Sequence, residues 1–368
     1  MNEKKLKSIL SLLGSAVLLL GLLAGCAASG AASGTSAPSV PGPTAQKQGD
    51  TQTITDMLGR QVTLKKNIER AVAVEGCCPV PGLLSMLGCA DKLVSGLCYD
   101  FSLQLKISPE YKALVDKTIK QKDKTVNYEE LLAQKADVIL LYNITNADEL
   151  ASLGLPVVCL TYSSWTDFQK MLTLLGQIFG KEDKAGAYLS YADALFKDMD
   201  QTLKDISADR MATVMMSTSV EPLTVKGLKS HNQSMFERSH AISIATALNL
   251  DTYSAEVSME DLIKANADYY ILSGFLDKQY KDMQTNPDWQ KLSAIKNGRL
   301  YITPVGLFPW DRPGVELPLL ALWQAHIFYP DKITTDYMHD KISDFYKTFF
   351  NYSLTDDDYA ALMTYEHT

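Results

Sequence analysis

One twelve-residue pattern occurs twice in this chain, and it constrains the fold more than any other feature. Val126-Asn127-Tyr128-Glu129-Glu130-Leu131 continues to Lys135-Ala136-Asp137 and into the apolar stretch Val138 to Tyr142. Val257-Ser258-Met259-Glu260-Asp261-Leu262 continues to Asn266-Ala267-Asp268 and into Tyr269 to Leu272. Each copy is Val-x-x-Glu-acid-Leu-x4-Ala-Asp followed by a strand, so both Glu stand at the same distance from their Ala-Asp. A repeated helix-to-strand unit predicts two related lobes. Two unrelated joints of similar composition are the alternative.

The rest of the chain alternates in the way a parallel α/β sheet requires. Strand-like runs at Ala71 to Val74, Lys92 to Leu97, Val138 to Tyr142 and Val157 to Tyr162 are separated by helix-like segments. The alternation returns at Ala212 to Ser217, Tyr269 to Leu272 and Leu300 to Val305. Between the two series, apolar residues from Ala185 to Leu203 recur near helical spacing, which predicts one helix over 181–206. At 1.5 Å per residue it would be ~39 Å long, enough to cross from lobe to lobe. Residues 53–64 alternate around Gly59 and predict a β-hairpin covering a sheet edge.

The N-terminus is an address. Lys4, Lys5 and Lys7 precede an apolar run from Ile9 to Leu23, the pattern of an export signal. From Ala27 to Gln48 the chain is mostly Ala, Ser, Gly, Thr and Pro, too poor in apolar bulk to order itself, and a flexible tether is expected. Removing residues 1–25 takes away three Lys and one Glu, and the net charge moves from −8 to −10. An acidic body without a basic block argues against nucleic acid as a partner. Cys77, Cys78, Cys89, Cys98 and Cys159 lack the C-x2-C pairs of ordinary zinc sites; a disulfide, a thiolate metal site and idle buried thiols all remain open for them. The five His show no short ligand spacing, which argues against capture of a bare zinc or manganese ion.

Leu23-Ala24-Gly25-Cys26 resembles the lipobox of bacterial lipoproteins, which implies lipidation at Cys26. Ile54-Thr55-Asp56-Met57-Leu58-Gly59-Arg60-Gln61-Val62-Thr63-Leu64, with Ile68-Glu69-Arg70-Ala71-Val72, resembles the opening of substrate-binding proteins of ABC importers for iron complexes and cobalamin. Asn286-Pro287-Asp288-Trp289-Gln290-Lys291-Leu292, Asn297-Gly298-Arg299-Leu300-Tyr301 and Trp310-Asp311-Arg312-Pro313-Gly314-Val315-Glu316 resemble that family's closing segment. The likeness covers roughly residues 52–332. It implies two Rossmann-like α/β lobes joined by a single long helix, with a ligand cleft between the lobes and no catalysis. The expected divisions are a signal peptide at 1–25, a tether at 26–50, a first lobe at 51–180, the linking helix at 181–207, and a second lobe with a helical tail at 208–368. One Glu on each lobe of that family docks onto the permease, and Glu129 and Glu260 match those positions. The implied setting is extracytoplasmic and lipid-anchored, as a monomer serving a permease dimer and its ATPase.

Ligands of open α/β sheets bind beyond the carboxyl ends of the strands. Tyr99, Asp100, Asn143, Tyr162 and Trp165 stand there in the first lobe, and His231, Trp310 and Arg312 in the second. Aromatic rings with one guanidinium suit a bulky anionic ligand. A ferric siderophore or haem is the first expectation and cobalamin the next; molybdate or another oxyanion held by Arg312 and nearby hydroxyls is an alternative. Bland roles compete: Ser164 and Asp167 form a capping pattern that would make Trp165 a helix start, Asp311 or Glu316 would pair with Arg312, and His231 in a polar loop would be a surface residue. Met86 and His231 would suit haem iron, but Met86 at helical spacing after Leu83 belongs to a core. No G-x-S-x-G, H-E-x-x-H or G-x-x-x-x-G-K-S/T motif occurs, which disfavours an enzyme; a surface ligand sensor on the same fold shares all the other features. The aromatic-rich tail after Pro330 is expected to pack as helices on the second lobe.

Overall fold

The computed structural model describes residues 49–74, 79–116, 128–142 and 147–364. Cys26, Cys77, Cys78, Asn143 and Asn146, together with the leader and the tether through residue 48, lie outside them. No helix among the described residues is long and apolar enough to cross a membrane.

Eleven strands are described: β1 (Thr51–Thr55), β2 (Gln61–Lys65), β3 (Ala71–Val74), β4 (Val138–Leu141), β5 (Val157–Cys159), β6 (Ala212–Val220), β7 (Leu223–Lys226), β8 (Ala241–Ser243), β9 (Ser254–Glu256), β10 (Tyr269–Leu272) and β11 (Leu300–Ile302). β3, β4 and β5 form one parallel sheet in that order. The second sheet runs β11-β10-β6-β7-β9, with β8 alongside the start of β6. Its β11-β10-β6 part is parallel, whereas β7 and β9 are antiparallel. The sheet is therefore mixed, a departure from the all-parallel expectation. β7 follows β6 through a two-residue turn, Glu221-Pro222, and so short a connection can only reverse the strand direction.

β3 and β4 are buried along their whole length, as strands covered on both faces must be. Ala71, Ala73, Val138 and Leu140 face the same core as Val214, Met216 and Ile271 of the second sheet. Val72, Val74, Ile139 and Leu141 face outward against Leu131, and Tyr270 and Leu272 face outward against Leu262. Each repeat helix thus covers the outer face of its own sheet, and the inner faces share one core.

The expected strand at Lys92 to Leu97 is not one. It meets β3 through a single bridge between Ala71 and Leu93, after which the Ser95 hydroxyl, rather than a backbone carbonyl, accepts the Ala73 N–H at 3.0 Å. The β1-β2 hairpin forms as expected, and Asp56 at its turn ties it to β5. The Asp56 carboxylate accepts the N–H groups of Leu58 and Arg60 at 3.0 and 2.9 Å, the Arg60 guanidinium, and the Cys159 N–H at 3.2 Å.

The helix between the two sheets spans Glu182–Leu203, 22 residues, shorter than the expected 181–206. Ala185, Tyr188, Ala192, Leu195, Phe196, Met199 and Leu203 make its buried stripe. The tail forms helices Thr335–Phe350 and Asp356–Met363. Contrary to the expectation, they do not rest on residues 208–334 alone. Phe345 and Phe349 pack on Tyr188 and Tyr191 of the 182–203 helix, Asp358 pairs with Lys106 at 2.5 Å, and the Val305 N–H donates to the Leu362 carbonyl at 3.1 Å. Tyr346 donates to the buried Glu316, which also accepts the Leu307 and Phe308 N–H groups at 2.8 and 3.1 Å. Gly306 passes so close to this cluster that a Cβ would collide with Glu316 Oε1 and the Tyr346 hydroxyl.

Candidate functional site

The repeat is structural as well as textual. Glu129 and Glu260 are exposed near the starts of helices Tyr128–Ala133 and Met259–Ala265, and the following Leu131 and Leu262 are buried at 0 and 1% exposure. Lys135 and Asn266 then turn the chain in the left-handed region, at φ 49° and 46°. Asp137 accepts the N–H groups of Glu69 and Arg70 at 2.9 and 3.0 Å, just ahead of β3. Asp268 does the like at the start of β6, accepting the Thr213 N–H at 3.0 Å and the Thr213 hydroxyl at 2.7 Å. Both motif aspartates therefore anchor the entry of a neighbouring parallel strand, which explains why Ala-Asp precedes β4 and β10 alike.

At the far ends of the strands, residues from the two sheets meet. His231 opens the helix His231–Arg238 and is fully buried, so the surface role expected of it is corrected. Its Nε2 lies 2.7 Å from the Asp311 carbonyl, an acceptor only, so Nε2 carries the proton and Nδ1 accepts from the Tyr253 hydroxyl at 3.1 Å. Burial first, and the Lys226 charge second, hold the imidazole well below its ordinary range, so it is neutral. With both nitrogens engaged it is not poised for haem iron, and Met86 is buried in the core as a side chain of the helix Val80–Leu87.

Three charges surround this imidazole. Asp311 is buried; it accepts from the Ser273 hydroxyl at 2.8 Å and the Gly274 N–H at 3.3 Å, and lies 3.4 Å from Arg312 Nε. Arg312 pairs with Asp311 and not with Glu316, and its guanidinium sits 5.6 Å from the Phe275 ring centroid. Lys226, at the end of β7, is 4% exposed with its ammonium 4.4 Å above the Tyr253 ring. Burial, then repulsion by Arg312, hold Lys226 down to about 8, against a smaller opposing pull from Asp311. Arg312 thus pairs with a carboxylate whose oxygens already serve Ser273 and Gly274, and the Lys226 ammonium is not within ion-pair distance of it. Such a cluster is electrostatically incomplete, and an anion would complete it.

Two aromatic groups flank it. The Tyr142 and Tyr162 rings lie 4.3 Å apart, tilted by 35°, and Tyr162 meets His231 edge-on at 6.0 Å. Tyr99 and Phe101 meet Phe275 and Phe308, with Tyr99 and Phe275 at 4.9 Å. Asp100 is exposed beside them. Of the residues expected in the cleft, Tyr99, Tyr162, His231 and Arg312 are joined into this region, and Asn143 lies outside the described residues. Trp165 and Trp310 are core. Trp165 stacks on Phe168 and meets Phe196 edge-on behind the Ser164 cap, whose hydroxyl accepts the Asp167 N–H at 3.1 Å, and Trp310 is 1% exposed. Lys226 and Tyr253 go unnoticed in the sequence, although Leu-Thr-Val-Lys after Pro222 alternates like a strand and carries the lysine at its end. Cys98 is disulfide-bonded, Cys89 and Cys159 are buried, and among the described residues no three His, Cys, Asp or Glu side chains gather as metal ligands.

Three comparisons bear on the arrangement. The molybdate-binding protein of Haemophilus influenzae is 23% identical over 336 residues, covering 83% of this chain and 93% of that protein. An uncharacterized ABC transporter substrate-binding lipoprotein of Bacillus subtilis is 25% identical over 290 residues, covering 76% and 86%. The crystal structure of a periplasmic solute-binding protein from Veillonella parvula superposes with a TM-score of 0.71 at 28% identity, covering 85% of this chain and 97% of that one. Residues 82–305 match the family described as periplasmic binding protein, and the chain belongs to that family, the non-enzymatic solute-binding proteins of ABC transporters.

Proposed function

We propose that this solute-binding protein captures an anion at the far ends of the strands of its two sheets, with a small oxyanion of the molybdate type as cargo, and delivers it to an ABC permease and its ATPase. The observation that carries this reading is the buried Lys226 and the half-buried Arg312 side by side, with Asp311, already engaged, as the carboxylate paired with Arg312. Tyr253 and Ser273 lie beside these cations, and their hydroxyls, which donate to His231 Nδ1 and Asp311, would turn to oxyanion oxygens on binding. The name of the Haemophilus relative agrees with this chemistry. An anionic ferric chelate, haem or cobalamin is the second reading, and the aromatic wall of Tyr99, Phe101, Phe275 and Phe308 beside Arg312 favours it.

In this proposal the lobes at 51–180 and 208–368 close on the cargo, and the 182–203 helix keeps the hinge motion small. Cys26 carries the lipid, residues 26–50 tether the body outside the cell membrane, and Glu129 and Glu260 dock it, as a monomer, on the permease. Melting and tryptophan fluorescence of the folded body, residue 50 onward, test the cargo against molybdate, ferric siderophores, haem and cobalamin. A ligand at ~1,000 times its Kd stabilises by about 4 kcal/mol. A response to molybdate that Arg312→Gln abolishes is the expected result; a response to a chelate alone moves the cargo to the second reading.

A further inference from the structure

We infer that the permease-docking face is built from an acid and an exposed aliphatic side chain on each lobe, Glu129 with Leu132 and Glu260 with Ile263. The inference rests on the docking reading above and extends it from charge to apolar contact. Only seven large hydrophobic side chains are markedly exposed among the described residues, and Leu132 at 48% and Ile263 at 41% are two of them. Ile263 lies 131 positions after Leu132, the same offset that separates Glu260 from Glu129. Among the described residues, none of the other five, Leu58, Tyr99, Leu153, Ile242 and Tyr253, has an exposed large hydrophobic residue at that offset in either direction.

Packing does not account for the pair. The core position of each helix is filled by the preceding residue, Leu131 or Leu262, which is buried against its own sheet. Leu132 and Ile263 follow three residues after the acid, so on a helix each shares a face with Glu129 or Glu260. Two lobes therefore display the same couple, a carboxylate and an aliphatic knob, in the same local frame. Glu130 and Asp261 strengthen the negative rim at both places. The partner that fits is a protein with two equivalent halves, each offering a basic group beside an apolar socket. Charge would steer the encounter, and the knobs, desolvated on docking, would set how long it lasts.

The test is equilibrium binding of the full-length chain to its cognate importer in lipid nanodiscs, without added cargo. Leu132→Ser and Ile263→Ser should each weaken binding about tenfold, and the double variant further, with the melting temperature unchanged. Leu132→Met with Ile263→Leu should bind within about twofold of the natural chain. Normal binding by the serine pair, alongside loss of binding by Glu129→Ala with Glu260→Ala, overturns the inference and leaves the docking reading standing. Normal binding by both pairs sinks the docking reading itself, and the inference with it. A serine pair that melts early assigns the side chains to folding, which also overturns the proposal.

Discussion

Replacing Lys226 with Met should make this protein more stable and worse at holding an anion. The ammonium is buried at the end of β7 and its affinity for a proton is lowered from 10.5 to about 8. At 1.36 kcal/mol per unit, keeping that charge inside costs the fold about 3 kcal/mol at neutral pH. Methionine follows the lysine stem to Cε and removes the charge, while the contact of the ammonium with the Tyr253 ring, worth about 1 kcal/mol, is lost. The net expectation is a gain of about 2 kcal/mol in urea denaturation at pH 7. Between pH 8 and 10.5 the unfolded lysine holds its proton while the folded one has released it. The natural chain is therefore stabilised as pH rises through that window, and its deficit against the variant closes. Molybdate affinity, measured by calorimetry at pH 7, should fall at least tenfold in the variant, the scale of a charge-assisted hydrogen bond. A variant less stable than the natural chain at pH 7, or a deficit that does not change up to pH 10.5, would refute the claim that this lysine is an unbalanced buried charge.

Other perturbations address the frame around the site. Asp137→Ala strands the N–H groups of Glu69 and Arg70 and should cost about 2–4 kcal/mol by denaturant titration, with Asp268→Ala costing less because its site is more exposed. Glu316 is raised to about 7, chiefly by burial; because the folded state holds its proton more tightly than the unfolded chain, its stabilising share is present at acidic pH and shrinks as pH rises from 4.5 to 7. Glu316→Gln should flatten that slope, while the amide group facing one of the two backbone N–H donors lowers stability by about 1–3 kcal/mol, both visible in melts across pH 4–8. Asp358→Ala should release the tail from Lys106, seen as faster hydrogen exchange over 351–364. In the natural chain Asp358 is lowered to about 2 by the Lys106 and Tyr352 hydrogen bonds against opposing burial, so this latch is lost only as pH falls through that value.

The parallel strands and the hairpin are legible in the sequence because their apolar runs are bounded by motifs that recur, the Ala-Asp pairs above all. β10 falls where Tyr269 to Leu272 is expected. β8 and β9 are not legible because no apolar run marks them, and the alternation of Leu223 to Lys226 in β7 is too brief, with no recurring motif beside it, to stand out. Lys92 to Leu97 misleads for the opposite reason: its apolar residues satisfy the core without joining the ladder. At the site, Arg312 is visible through the motif around it, whereas Lys226 is a lone lysine whose meaning comes from burial, and burial of a single polar residue leaves no periodic trace. His231 misleads through the polar loop that precedes it, since the fold brings Tyr162 and Tyr253 over it from distant positions.

The edges of the three-stranded sheet carry a consequence for life in a crowd. An open strand edge offers unpaired N–H and C=O groups to any other chain that comes close, the route to strand exchange and aggregation. Here the outer side of β3 is closed by the Val94 N–H and the Ser95 hydroxyl, and the end of β5 by Asp56 and the Met57 N–H. Neither closure is a strand, so neither presents a fresh edge in its turn. Copies of a chain at high local density meet one another's edges often. Side-chain and turn closures of this sort cap both edges without lengthening the sheet.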